Sequence, residues 1–412
     1  MKGFDIVIVS DIRKDFPILE RKIHGNSLVY FDNGASAQKP KKVIEVIKSC
    51  YLNEYSNVHR GLHYLSNNLT DKFEAVREKI QVYLGARDSS EIIFTSGSTE
   101  ALNLVAYGWG VNNLREGDEI ILSVMEHHSN IVPWHFLREK IGIKIIWADI
   151  NNKGILEVDE IIRKISPKTK LISVTHMSNV LGSKVDIKNL CRYTRKKGIV
   201  VAVDGSQGCV HQKVDVSDLD CDFYAVTGHK LYGPSGSGAL YVKQDKFDQM
   251  APFMGGGEMI ESVTKEGVLY SEPPQKFEAG TPGIVSVIGF GAAIDYINSI
   301  GFDFIEEHEN ILISRMNERL SELDWVDLHG PTSNKGSIFS FSLKNEIHPH
   351  DVSSILDQKG IAIRTGTHCA QPLMDFLGLK ASCRASLAIY NTVEEIDKFI
   401  DGLISCKKIF NL

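Results

Sequence analysis

Ile199-Val200-Val201-Ala202-Val203-Asp204 is a run of five apolar residues that ends on a carboxylate. Nothing in it alternates between apolar and polar. A strand reads this way when both its faces are buried, as in a parallel sheet covered by helices on each side. Outward from it, similar runs recur at Ile92–Thr95, Glu119–Val124, Lys144–Ala148, Leu171–His176, Phe223–Thr227 and Ala239–Val242. Amphipathic stretches lie between them, among them Thr99–Trp109, Asn130–Lys140 and Ile187–Lys197. Strands and helices in this alternation predict an α/β fold with a mainly parallel sheet of seven strands.

The pattern changes after about residue 285. Helices are expected at Val285–Ile300 and Asp303–Leu323, a strand at Ile338–Leu343, and a helix at Pro349–Lys359. A short strand at Ile361–Arg364 and a last helix from Val393 follow, so the C-terminal part reads as a smaller α+β domain. Between the two parts runs a Gly/Pro-rich region, from Gly255-Gly256-Gly257 through Pro273-Pro274 to Gly280-Thr281-Pro282-Gly283. Long irregular stretches of this kind are often functional.

With 412 residues, the chain exceeds one typical domain. Its net charge of -6, from 46 basic and 52 acidic residues, excludes a nucleic-acid surface, which needs clustered Lys and Arg. Lys39, Lys41 and Lys42 read as a solvated helix start. The run Ile6–Val9 is too short for an export signal, and no stretch is long and apolar enough to span a membrane. Seven scattered cysteines without a CxxC pair suggest neither a disulfide framework nor a zinc or other metal site. A reducing cytoplasm is expected, with an organelle as the alternative.

Several segments could carry chemistry. Lys230, in Gly228-His229-Lys230-Leu231-Tyr232-Gly233-Pro234, follows a strand and enters a Gly-rich turn. It is either a solvated loop charge or a Schiff-base lysine. Asp204 ends its strand at the edge where open α/β sheets bind ligands. It either caps a turn or holds a pyridine nitrogen protonated, making the ring an electron sink. Gln207, three residues on, could donate to a ring hydroxyl.

Thr95-Ser96-Gly97-Ser98-Thr99-Glu100 opens a helix after a strand, as an ordinary cap or as a phosphate cradle. In Glu126-His127-His128-Ser129-Asn130, one imidazole could stack on a cofactor ring; otherwise the pair simply starts a helix. Cys369, in Arg364-Thr365-Gly366-Thr367-His368-Cys369-Ala370, lies on a predicted turn where a thiolate could be exposed and reactive. Arg384 could clamp a carboxylate with two parallel hydrogen bonds, or be a surface charge.

Together these segments resemble the class V aminotransferases of fold-type I, and most closely the SufS-type (group II) cysteine desulfurases, relatives of the selenocysteine lyases. The resemblance runs from Tyr30-Phe31-Asp32-Asn33-Gly34-Ala35 to the last helix. Its motifs include Asn57-Val58-His59-Arg60-Gly61, Met125–Asn130, Ser178-Asn179-Val180-Leu181-Gly182, Phe253-Met254-Gly255-Gly256-Gly257-Glu258 and Arg364–Met374.

The resemblance implies pyridoxal 5'-phosphate as cofactor, with Lys230 as its Schiff-base lysine. Asp204 is then the ring-nitrogen partner, Gln207 the ring-hydroxyl donor and His127 the stacked imidazole. Ser98, Thr99, Thr227 and His229 match phosphate contacts; Thr227 stands where many relatives have Ser, and Ser98 where many have Thr. Thr281 is implied as a phosphate contact given across a homodimer interface, near Gly255–Gly257. Asn179 and Arg384 match the clamp on the carboxylate of L-cysteine, with Arg364 and His59 also expected at the substrate. Cys369 matches the cysteine that becomes a persulfide.

The domains expected on this basis are an N-terminal segment, 1–29, packing with the small domain; a large cofactor-binding domain, 30–285; and a small domain, 286–412, carrying the cysteine loop. The implied activity converts L-cysteine to L-alanine and passes sulfur to a SufE- or SufU-type acceptor for iron–sulfur cluster assembly. Selenocysteine lyase or cysteine sulfinate desulfinase activity, an aminotransferase, and a non-enzymatic sulfur-relay scaffold are the alternatives.

Overall fold

The computed structural model describes residues 9–345 and 347–410. Most of the Ile6–Val9 run lies outside them. Seven strands form the central sheet: β1 (Ile92–Thr95), β2 (Glu119–Ser123), β3 (Lys144–Ala148), β4 (Thr169–Thr175), β5 (Val200–Asp204), β6 (Phe223–Thr227) and β7 (Gly238–Val242). Their order across the sheet is β1-β7-β6-β5-β4-β2-β3, and only β7 runs against its neighbours. Every residue of β1, β5, β6 and β7 is buried, which is why these runs show no alternation. Thr175 pairs with Asp204, and Gly238 pairs with both Thr95 and Thr227. These registers gather the strand ends at the carboxyl edge, where open sheets take ligands.

Gly238 is required there by close approach. A β-carbon on it would lie 2.6 Å from both the Gly97 α-carbon and the Val226 carbonyl oxygen. Its absence lets the Gly97 turn settle onto the sheet. The helix expected at Thr99–Trp109 is α-helical only over Ser98–Leu104 and continues as a π-helical turn, Val105–Gly110. Gly108 and Gly110 within that turn pack closely against Ala251 and Leu137.

Two helices lie ahead of the sheet: Lys41–Ser49, which begins where the lysine cluster reads as a helix start, and Tyr64–Leu84, which had no counterpart in the expected elements. The helix Ile284–Ile300 packs on both. Its apolar side chains belong to the core of the large unit, as does Ile305 of the helix that follows. A second core surrounds Phe339, Phe341 and Phe399, with Leu312 and Met316 from helix Phe302–Ser321. It backs an antiparallel sheet of β8 (Val326–His329), β9 (Ile338–Leu343), β10 (Arg364–Gly366) and β11 (Ser382–Ser386), in the order β8-β9-β11-β10. The last helix is Val393–Phe410.

The single strand expected at Ile361–Arg364 is two. Ile361–Ala362 pairs with Val29–Tyr30, and Arg364–Gly366 joins β11. The segment before Tyr30 touches both units: Val29 sits in the second core, while Phe16 packs on Tyr232, Tyr296 and Tyr390. Among the described residues no single helix is long and apolar enough to cross a membrane.

Candidate active site

A cavity of about 210 Å³ opens at the carboxyl edge of the sheet, where the small unit closes over it. Asp204 ends β5 at its floor, 5% exposed. The carboxylate accepts from the Ser206 amide at 3.0 Å and the Ser206 hydroxyl at 2.5 Å. Lys230 reaches the same cavity from the turn after β6. Enclosure by protein pulls its pKa below the usual lysine range, and the Asp204 carboxylate opposes that shift. An amine so placed has access to its neutral, nucleophilic form.

The hydroxyl groups cluster at one end. Ser206 Oγ, its hydrogen given to Asp204, accepts from Ser98 Oγ at 2.7 Å, and Thr99 Oγ1 lies 2.7 Å from Ser129 Oγ. Thr227 is buried at the end of β6, beside the Gly97 turn, and does not line the cavity. His229 lines the cavity, with its pKa pushed down to about 4 by burial and by the charge of Lys230. The donor set of Ser98, Thr99, Ser129 and Ser206, with free helix-start amides, suits a phosphate. Asp204 and the Lys230 amine suit a protonated pyridine carrying an aldehyde. The residues present therefore fit pyridoxal 5'-phosphate.

His127 lines one wall. Burial, then the charge of Lys230, pushes its pKa down to about 4, so the ring is neutral near pH 7. Its Nδ1 accepts from the Ser129 amide at 3.1 Å, which leaves the ring hydrogen on Nε2. Gln207 is buried and gives its amide to the Gly34 carbonyl at 2.8 Å; it underlies the cavity without lining it.

Opposite Lys230 stands a pair of buried polar side chains. Arg384, 2% exposed, donates to the Asn179 carbonyl at 2.9 Å and lies 3.2 Å from Asp32. Its Nε is buried without a partner, and burial pulls its pKa down to about 10. Arg364, more exposed, approaches the other Asp32 oxygen at 3.9 Å. Two arginines facing one carboxylate leave net positive charge for an incoming anion.

Cys369 completes the wall. It is the one cysteine of the seven that is not buried. Burial raises the pKa of each of the other six and keeps them as thiols. His368 and Cys369 both have left-handed backbone, at φ 53° and 55°. Non-glycine residues hold that conformation only where their surroundings impose it.

The structure thus brings together Lys230, Asp204, His127, Ser98, Thr99, His229, Asn179, Arg384, Arg364 and Cys369. His59 and Thr281 are not among them. His59, expected at the substrate, lines a different cavity with Arg60, Glu258 and Glu278, and is bonded to Glu74 at 2.9 Å. Thr281 is exposed between Gly280 and Pro282 at the edge of that same cavity. Ser129, Ser206, His368 and Asp32 are site residues that no motif reading singled out. Ser129, His368 and Asp32 were visible only as residues within quoted motifs.

A lysine and a strand-end carboxylate at the carboxyl edge of a doubly covered sheet define the fold-type I transferase class. The chain belongs to the class-V aminotransferase family, whose model matches residues 29–399. It is 45% identical over 398 residues to a probable cysteine desulfurase of Xylella fastidiosa (strain 9a5c), covering 97% of this chain and 95% of that one. The apo structure of a cysteine desulfurase from Thermococcus onnurineus NA1 superposes with a TM-score of 0.91 at 39% identity, over 97% of this chain and 98% of that one. The cysteine desulfurase CsdA of Escherichia coli, in an S-sulfonic acid form, superposes at 0.90 with 35% identity and the same coverage.

Proposed function

We propose that this protein is a pyridoxal 5'-phosphate-dependent cysteine desulfurase that turns L-cysteine into L-alanine and receives the sulfur on Cys369. The observation that carries this reading is the placement of the single unburied thiol in the same small cavity as Lys230 and Asp204. An aminotransferase needs no nucleophilic thiol there. Relatives and solved structures bearing the desulfurase name support the same activity.

Bound in the cavity, the cofactor supplies an electron sink for charge at the substrate α-carbon. Lys230 holds it, Asp204 keeps its ring nitrogen protonated, and the Ser98–Thr99 turn takes its phosphate. Arg384 and Asn179 bind the substrate carboxylate, with Arg364 at the cavity mouth. The freed Lys230 amine removes the α-proton and later returns one. The Cys369 thiolate attacks the substrate sulfur; the new S–S bond forms as the C–S bond breaks, leaving a persulfide on Cys369, while the C–S electron pair stays with the β-carbon, which takes up a proton to become the methyl of alanine. Neutral His127 exchanges protons at Nε2.

Exposed apolar side chains that a lone chain has no reason to display support a homodimer. Leu62 is 99% exposed and Tyr64 79%, with Tyr51, Leu52 and Tyr55 nearby. Across that interface Thr281 would reach the partner's phosphate site, and the His59 cavity would face the partner. The persulfide passes to a SufE- or SufU-type acceptor for iron–sulfur cluster assembly in the cytoplasm, where thiols stay reduced.

The test is to give purified, cofactor-loaded protein L-cysteine with a thiol reductant and quantify alanine and sulfide together. Equal amounts over many turnovers are expected, and none from Cys369→Ser with its cofactor still bound. Full desulfurase activity in that variant would reject the assignment. Product from selenocysteine or cysteine sulfinate alone would move the substrate.

A further inference from the structure

Two hydrogen bonds cross from the turn after β2 to the loop that carries Cys369. The His128 amide donates to the Cys369 carbonyl at 2.7 Å. The Gln371 amide donates to His128 Nε2 at 3.1 Å. One residue of the large unit therefore grips the loop on both sides of Ala370. Because Nε2 accepts an amide hydrogen, it carries none, and the ring hydrogen sits on Nδ1. Burial lowers the His128 pKa and favours this neutral ring.

The grip has something to resist. His368 and Cys369 both stand in the left-handed region, unfavourable for residues with a β-carbon. The chain keeps that shape because its polar groups are tied down. Asn179 Nδ2 donates to the His368 carbonyl at 2.8 Å, and the Ala370 amide to the Thr367 carbonyl at 2.9 Å. His368 Nε2 also meets Ser382 Oγ at 2.9 Å, and the Ala370 carbonyl accepts from the Leu373 amide at 3.1 Å. His128 supplies two further ties from the large unit, and its chain neighbour His127 lines the cavity.

We propose that His128 is a positioning residue that holds the Cys369 loop over the cavity, so that the sulfur-accepting thiol is registered to the wall formed by His127. The side chain acts as a fixed acceptor for the Gln371 amide. A lysine or an aliphatic residue cannot replace it; a glutamine, whose amide oxygen reaches about as far as Nε2, can. The consequence for sulfur transfer rests on the desulfurase reading of Cys369, whereas the consequence for the loop does not.

The experiment compares His128→Ala and His128→Gln with the parent holoenzyme. Two quantities are read: alkylation of Cys369 by iodoacetamide without substrate, followed by peptide mass spectrometry, and a single turnover with L-cysteine. The turnover separates the cofactor's absorbance change on substrate binding from persulfide appearing on Cys369. Losing one ordering hydrogen bond is expected to change the alkylation rate and slow persulfide formation by about tenfold each, with the absorbance change little altered. His128→Gln is expected to restore both. Unchanged alkylation and persulfide rates in His128→Ala would overturn the proposal. So would an equal loss in the absorbance step, or no recovery in His128→Gln. Should His128→Ala fold poorly, amide exchange at Gln371 in the parent decides: slow exchange is expected, and exchange at the rate of an open loop would overturn it. A parent enzyme that forms no persulfide sinks the desulfurase reading alone, because the alkylation comparison still tests the loop.

Discussion

Arg384 shows how much one side chain is asked to do. Its guanidinium is buried, bonded to the Asn179 carbonyl and facing Asp32, with one nitrogen left bare. A lysine keeps the charge but not the planar fork. Arg384→Lys is therefore expected to raise KM for L-cysteine by about tenfold or more while the cofactor stays bound; an unchanged KM in steady-state assays would remove Arg384 from the carboxylate clamp. Glu126 poses a different problem. It is fully buried beneath the histidine turn, accepts from Asn130 at 2.7 Å, and is bonded to Ser123. Burial lifts its pKa from 4.5 to about 8. Folded protein thus holds a proton that the unfolded chain releases above 4.5, so this group's contribution to stability is full below 4.5 and is lost as pH rises to about 8. Glu126→Gln is expected to lack that decline, and its thermal midpoint should gain on the parent's between pH 5 and pH 8. Parallel curves would show that Glu126 is ionised in the folded state.

At the scale of the elements, legibility followed burial. Continuous apolar runs gave β1 and β6 with their observed ends, because a strand covered on both faces needs no polar residue. Ser382-Cys383-Arg384-Ala385-Ser386 is just as buried, yet four of its five residues are polar or cysteine, and no periodicity announces it. Its hydroxyls are satisfied by remote partners: Ser386 takes the Gly34 amide at 2.7 Å, and Ser382 meets His368 at 2.9 Å. Such strands become visible only when the fold supplies the partners. The same holds for His59, whose motif matched but whose cavity depends on where helix Tyr64–Leu84 and the Gly255–Glu258 turn meet. Lys230, Asp204 and Cys369 were readable because each sits at a strand end or turn in a distinctive local sequence. The crossing of β7 over the Gly97 turn gives a prediction at this scale. Gly238→Ala puts a methyl against backbone atoms that cannot yield. A loss of about 1–3 kcal/mol in chemical denaturation is expected, with weaker cofactor binding by absorbance titration. Wild-type behaviour in both would mean that the turn has slack.

For the whole molecule, the question is what covers the apolar surface around Leu62 and Tyr64. If a second copy covers it, sedimentation should give twice the mass of the 45.9 kDa chain. Leu62→Asp combined with Tyr64→Asp should then yield monomers that bind cofactor weakly, because each phosphate site would lack the partner's threonine. A stable double variant that is still dimeric would place the interface elsewhere.

The antiparallel β7 also has a consequence in time. β1, which leads into the Ser98–Thr99 turn, borders only β7, and β7 is made nearly 150 residues after it. On the ribosome, the first strand of the sheet waits unpaired until the lysine turn has already emerged. The thiol follows some 130 residues later still. Synthesis therefore builds the place for the cofactor before it delivers the group that takes sulfur.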